Sequence, residues 1–156
     1  MHPSAAEFVA EARSRYDFEP AVEEFPEGTR TAHDAAGAIG CDVAQIASSI
    51  VLVADDEVVV SVTSGSNRVD TSKISALCRA ETTRLASADE VKEATGWTIG
   101  GVPPFCHDTD LRVFLDDTLT DFETVWAAAG TPQAVFPVEP AQIIAFADAE
   151  IATVAE

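Results

Sequence analysis

Lysine is nearly missing from this chain. Lys73 and Lys92 stand against seven arginines and 27 Asp plus Glu in 156 residues. The formal charge of −18 excludes the basic footprint that holds a nucleic-acid backbone at ordinary salt. Such a surface either keeps polyanions away or is built for molar salt, where the Debye length falls to about 3 Å. Strong acidity with scarce lysine favours the second reading, a halophile-type surface. Cysteine is scarce as well. Cys41, Cys78 and Cys106 are odd in number and form no C-x-x-C pair, so neither a zinc site nor a disulfide framework is indicated. Buried, reduced thiols are expected. No apolar run is long enough to span a bilayer. The first residues lack a basic n-region and an apolar h-region, so a cytoplasmic protein follows by default. There is no G-x-S-x-G elbow to raise a serine nucleophile, and no metal or cofactor is expected.

What is present is a globular composition, 47 % apolar, in a length that suits one domain over 1–156 and a core without staples. Helical spacing marks 4–16, with Ser4 as its expected cap and Glu7 at the capping-box position. Residues 18–25 read as extended, and 26–28 as a turn. Thr31 opens a short alanine-rich helix that Gly40 ends, and Asp42 caps a further turn. The β-branched runs 49–53 and 58–62 predict a hairpin of buried strands. Helices are expected over 71–78, with Asp70 as cap, and from Ser87 to 95, where Glu90 completes a capping box and Gly96 is the stop. Strands follow at 111–115, 125–129 and 134–138. Pro140 starts a last helix to about 147. Several strands are joined too tightly for βαβ crossovers. The expected fold class is therefore α/β of the mixed α+β kind, with a mixed sheet.

The segment 94–107, Ala-Thr-Gly-Trp-Thr-Ile-Gly-Gly-Val-Pro-Pro-Phe-Cys-His, interrupts this pattern. Gly100 and Gly101 permit positive φ or close backbone approach. Pro103 and Pro104 fix φ, and Pro104 holds Pro103 extended. A stiff loop of this kind can aim backbone N–H groups at one point, or it can be an ordinary turn between a helix and a strand. His107 follows it and is a candidate proton carrier near neutral pH, whereas His33, in the alanine-rich helix, reads as structural. Cys106 and His107 are adjacent in an extended stretch, so they point to opposite faces and form no dyad.

The order of these features resembles the YbaK/ProX family, aminoacyl-tRNA deacylases related to the editing domain inserted in bacterial prolyl-tRNA synthetases. The segments that carry the resemblance are Thr29-Arg-Thr-Ala32, Ala44-Gln-Ile-Ala-Ser-Ser-Ile-Val51, Ser64-Gly-Ser-Asn-Arg-Val-Asp-Thr-Ser-Lys73 and Thr95-Gly-Trp-Thr-Ile-Gly-Gly-Val-Pro-Pro-Phe105. It runs from about Phe25 to Ala149. The resemblance implies a barrel-like mixed sheet flanked by helices. It also implies hydrolysis of the ester joining a mischarged small amino acid to the 3′-terminal adenosine of tRNA, with tRNA for proline expected. Loop amides from Gly100, Gly101 and Val102, stiffened by Pro103 and Pro104, would face the aminoacyl carbonyl and stabilise its oxyanion. The ribose hydroxyl of the substrate would take part, so no metal is needed.

By the same resemblance, Phe25, Thr29, Arg30, Thr31, Asn67, Arg68, Phe105, His107 and Asp116 are substrate-binding candidates. Arg30 and Arg68 are read either as cations at the pocket mouth or as surface ion pairs. Lys73, at a helix start, reads as solvated. Asn67 is a loop cap or a pocket contact, and Asp116 a turn carboxylate or a partner for the substrate amine or ribose. The family carries a lysine where Ser48 stands. Serine can hydrogen-bond but supplies no charge. A weak or inactive aminoacyl-tRNA or small-ligand binding module is therefore the second expectation beside the deacylase, and a different small-molecule hydrolase the third. Monomer and homodimer both stay open.

Overall fold

The computed structural model describes residues 1–26 and 31–156. Helix α1 (Pro3–Tyr16) starts one residue earlier than expected. Pro3 brings a preset φ and no N–H to satisfy, and the His2 ring nitrogen, not Ser4, accepts the Ser4 amide at 3.0 Å. The expected extended run narrows to β1 (Glu23–Glu24). Helix α2 (Ala32–Ile39) is capped by Thr31 and closed by Gly40. A 3-10 turn (Val43–Gln45), capped by Asp42, leads into β2 (Ile46–Ala54). β2 starts at Ile46 because Ile46 and Ala47 pair with a strand 80 residues downstream, a partner that local pattern does not show. A two-residue turn joins β2 to β3 (Glu57–Ser64). Asp70 caps α3 (Thr71–Cys78).

A short strand, β4 (Thr83–Leu85), precedes α4 (Ala88–Thr95). The predicted capping box of α4 is present in both directions: Glu90 N–H donates to Ser87 Oγ, and Ser87 N–H to the Glu90 carboxylate. Then follow β5 (Arg112–Asp116), a 3-10 turn (Asp117–Asp121), β6 (Val125–Ala128), β7 (Ala134–Val138), α5 (Pro140–Ala147) and β8 (Glu150–Ala152). β4 and β8 are three-residue strands too short to register as patterns.

The strands form one mixed sheet in the order β1-β7-β6-β2-β3-β5-β8, with β4 also on β2. β2–β3, β2–β4, β6–β7 and β1–β7 are antiparallel; β2–β6, β3–β5 and β5–β8 are parallel. The expected mixed α/β class is what the chain adopts. Helix α1 buries Ala5, Phe8 and Ala12 in the main core. There the rings of Phe8, Tyr16, Phe18, Phe136 and Phe146 gather around Phe105 at 5.2–6.2 Å, all but Phe8 edge-on to it. A smaller core joins Ile74 of α3 to Leu52, Val59 and Phe114. The third joins Ala35 and Ala36 of α2 to Ile46.

Candidate functional site

Strand β2 has a complete partner on one edge only. β3 pairs with it from Ala47 to Ala54. On the other edge, β6 reaches Ile46 and Ala47, and β4 reaches Leu52 to Ala54. Between them the sheet is open, and a cavity of about 320 Å³ fills the gap. Residues 46–51 form its floor. Trp126, Ala127 and Ala128 of β6 close one side, and Leu85, Ala86 and Val91 the other. Thr31, Ala32 and Ala35 of α2 and the loop residues Ile99, Gly100 and Val102 complete the wall. Leu85 and Ile99 are 60 % and 52 % exposed, an apolar rim at the mouth. Among the described residues, the lining carries no charged side chain. Its side-chain polar groups are the hydroxyls of Thr31, Ser48 and Ser49 and the Trp126 indole N–H. Such a cavity fits a compact ligand with few polar groups.

The Gly/Pro loop is built to be rigid. Gly100 has φ +87°, the left-handed region that glycine enters without penalty. Gly101 is there for a different reason: a Cβ at that position would lie 2.7–2.8 Å from the backbone of Thr131. The Gly101 amide is taken by the Thr98 carbonyl at 2.9 Å, whereas those of Gly100 and Val102 have no hydrogen-bond partner among the described residues. Both ends of the loop are tied down. The Trp97 indole donates to the Cys106 carbonyl at 2.9 Å. Arg15 of α1 donates to the His107 carbonyl at 2.9 Å, and the Cys106 amide donates to the Tyr16 hydroxyl at 3.4 Å.

His107 lies behind the loop and lines a separate groove with Arg15, Tyr16 and Phe105. Its Nε2 is 2.8 Å from the Pro103 carbonyl. A carbonyl can only accept, so the proton is on Nε2. Burial pushes the imidazole pKa below its ordinary value; the Pro103 bond opposes this, and the Arg15 charge adds to it. His107 is thus a neutral clamp on the loop. The unfolded chain binds its proton more readily, so the contribution to stability is present above about pH 6.5 and is lost as pH falls toward the depressed folded value. Melting temperature is expected to fall between pH 7 and 5. His107→Gln, which keeps a donor for Pro103 without titrating, is expected to flatten that slope in a pH series of thermal melts. Cys106, beside it, is pushed up to about 12 by burial, partly offset by Arg15. It is a thiol at neutral pH and no nucleophile.

Of the sequence candidates, Thr31, Ser48, Gly100 and Val102 meet at the cavity. The Thr31 hydroxyl also accepts the Asp34 amide as the α2 cap. Gly101, Pro103 and Pro104 lie in the loop behind the wall. Thr29 and Arg30 lie outside the described residues. Phe25 is held by its amide to the Gln133 carbonyl and Phe105 belongs to the aromatic core; neither lines the cavity. Arg68 is exposed away from it, and the Lys73 ammonium donates to the Ala155 carbonyl.

Asn67 and Asp116 are likewise outside the lining, and they bond each other. The fully buried Asp116 accepts from Asn67 Nδ2 and the amides of Ser64 and Thr118, each at 3.0 Å. Burial alone would raise its pKa; these donors outweigh it and hold the carboxyl below its ordinary range. Asp116→Asn turns an acceptor oxygen into a donor facing donors. The expected loss is about 2–3 kcal/mol in urea denaturation at neutral pH. The wild-type contribution should disappear only as pH drops below about 4, through the depressed folded value. Ser49 was missed by sequence reasoning. It lines the cavity, and its hydroxyl is fully shielded without a hydrogen-bond partner among the described residues.

Comparison with known proteins bears on the family and the fold. A family model described as the aminoacyl-tRNA editing domain matches residues 26–146. The uncharacterized protein YwhH of Bacillus subtilis (strain 168) is 32 % identical over 139 residues, 88 % of either chain. Proline--tRNA ligase of Lactobacillus johnsonii is 33 % identical over 85 residues, 54 % of this chain. The matched segment spans only 15 % of that ligase's length. A crystal structure of a protein assigned provisionally as a trans-editing enzyme for prolyl tRNA synthetase superposes with a TM-score of 0.94. It has 39 % identity to this chain and covers 100 % of it and 99 % of its own length.

Proposed function

The chain belongs to the aminoacyl-tRNA editing domain family, and from that premise we propose that it is a free-standing deacylase. Its substrate would be the ester between a mischarged small amino acid and the 3′-terminal adenosine of tRNA, with tRNA for proline the first candidate. The observation that carries this reading is the cavity at the sheet gap, walled by a rigid loop with the Gly100 and Val102 amides unbonded. In the proposed reaction a water oxygen adds to the ester carbonyl carbon. The carbonyl oxygen gathers negative charge against the loop amides, a preorganised oxyanion site. The carbon–oxygen ester bond then breaks. The amino acid leaves as its carboxylate, one proton of the water passing to solvent, and the terminal ribose oxygen takes the other as its hydroxyl proton. A hydroxyl of the substrate's own ribose is well placed in chemistry to pass that proton, because the cavity lining offers no titrating side chain among the described residues. Residues 1–156 are read as one domain, since α1, which precedes the family match, packs its Phe8 into the common core.

One observation favours a second reading. Ser48 stands at the cavity in place of the family lysine, and no described cation lines it. A module that binds aminoacyl-adenosine with little or no turnover has the same geometry. A panel of aminoacyl-tRNAs, including tRNA for proline charged with small amino acids, separates the two. Because like-charge repulsion between a −18 protein and tRNA is screened only at high ionic strength, the panel is run in low and in molar salt. Release of one amino acid supports the deacylase; no release from any species sinks it. Binding without release selects the module.

A further inference from the structure

The interruption in β2 exposes polar groups as well as making space. In an antiparallel pair, the N–H and C=O of one residue point to the same edge, and neighbouring residues alternate. The Ile46 carbonyl accepts the Gly65 amide on the β3 side, at 2.8 Å. The Val51 carbonyl accepts the Ala86 amide on the opposite side, at 3.0 Å. Residues 47, 49 and 51 therefore turn their backbone groups away from β3. Ala47 is covered by β6, and the carbonyl of Val51 by the Ala86 amide. Ser49 is left facing the gap: the pairings with β4 and β6 both stop short of it, and no bond outside the strand ladders takes its N–H or C=O among the described residues. Its hydroxyl is shielded and unpartnered too. Buried backbone and hydroxyl groups are nearly always paired in native proteins. Ser49 is half-buried, so its one shielded hydroxyl and its two backbone groups at the gap are polar capacity open to a ligand at one cavity.

We infer that Ser49 is the residue that reads the aminoacyl group, by pairing with it as one strand residue pairs with another. An aminoacyl ester carries an ammonium and a carbonyl on the same α-carbon. In extended form it presents a donor and an acceptor to one edge, the complement of what Ser49 offers. The Ser49 carbonyl accepts from the α-ammonium. The Ser49 amide donates to the ester carbonyl, whose second lone pair stays available to the loop amides. By rotating about χ1 from its shielded position, the hydroxyl supplies a second acceptor for the ammonium. This is strand addition reduced to one residue. It makes a free α-amino group a requirement of the site. The inference rests on the aminoacyl-ester reading above.

The test uses the full chain and a non-hydrolysable probe, 3′-(L-alanylamino)-3′-deoxyadenosine, beside its propionyl analogue, which lacks only the amine. Calorimetry is expected to show the propionyl compound binding at least tenfold more weakly. Ser49→Ala should weaken the alanyl probe about five- to tenfold, with a melting temperature unchanged or raised, because no protein hydrogen bond is lost. Ser49→Thr should restore binding. A merely structural Ser49 would lower the melting temperature of Ser49→Ala instead. Equal binding of the two probes, or an unchanged affinity in Ser49→Ala, overturns the inference while leaving the deacylase intact if amino acid is released in the tRNA panel. No binding of either probe, together with no release from any aminoacyl-tRNA, overturns both.

Discussion

Gly101→Ala is expected to lower kcat/KM for aminoacyl-tRNA hydrolysis by about a hundredfold or more. The added methyl would lie 2.7–2.8 Å from the N, Cα and C atoms of Thr131, a backbone that cannot swing aside as a side-chain tip can. The loop must yield instead, and it is pinned at Trp97, Cys106 and His107. The strain therefore falls on the stretch that includes Gly100 and Val102. Displacing oxyanion donors by a fraction of an ångström to about 1 Å can cost roughly a hundredfold. Overpacking should also reduce stability by about 1–3 kcal/mol. Gly100→Ala is the control. Its methyl meets nothing nearer than Pro132 at 3.5 Å, so its cost is the left-handed backbone, about 1–2 kcal/mol. Steady-state kinetics and urea melts of both variants decide the matter. If Gly100→Ala loses activity and Gly101→Ala does not, the loop wall is not positioned by its seat on Thr131.

Ser48→Lys should act in the opposite direction and raise kcat/KM by two to three orders of magnitude. Ser48 is at the cavity floor where the lining is otherwise uncharged among the described residues. A carbonyl oxygen that gains charge there meets amide dipoles but no cation. Adding one contributes a few kcal/mol to the transition state, and about 1.4 kcal/mol is a decade in rate. The same apolar surroundings would depress the new amine's pKa, so the gain should fade as pH rises and the ammonium deprotonates. A folded Ser48→Lys protein with unchanged kcat/KM would show that the cation is not what limits turnover. Ser48→Met, similar in length and uncharged, separates charge from bulk.

Most local devices were legible in the sequence because they are local, although the Ser4 and Glu7 cap expected for α1 gave way to His2. Ser87 with Glu90, Asp70, and the glycines at 40 and 96 each act within four residues, and each appears as read. The Gly/Pro segment was legible as a rigid loop for the same reason. What the sequence could not show was which side of an element faces what. Phe105 and His107 adjoin the loop in sequence, yet they turn into the aromatic core and the groove behind it. Asn67 and Asp116, 49 residues apart, bond each other rather than face the cavity. Ser49 was invisible for the most instructive reason. Its importance comes from a missing neighbour, and where β4 and β6 stop along β2 is decided by pairings 30 to 80 residues away. A β-branched and serine run looks the same whether both its edges are covered or only one.

The ties between α1 and the loop have a consequence for the order of assembly. Arg15 and the His107 carbonyl that it grips are 92 residues apart, and Tyr16 and Cys106 are 90 apart. During synthesis α1 leaves the ribosome some 90 residues before its anchor exists. Contacts of that sequence separation are slow to form. The cavity wall is therefore expected to become native late, after the β2–β3 hairpin, which pulsed hydrogen exchange during refolding would show as late protection of residues 97–107. On that order, a chain that has formed the hairpin but not yet docked α1 has the floor of the cavity without its wall, and competence waits on that docking.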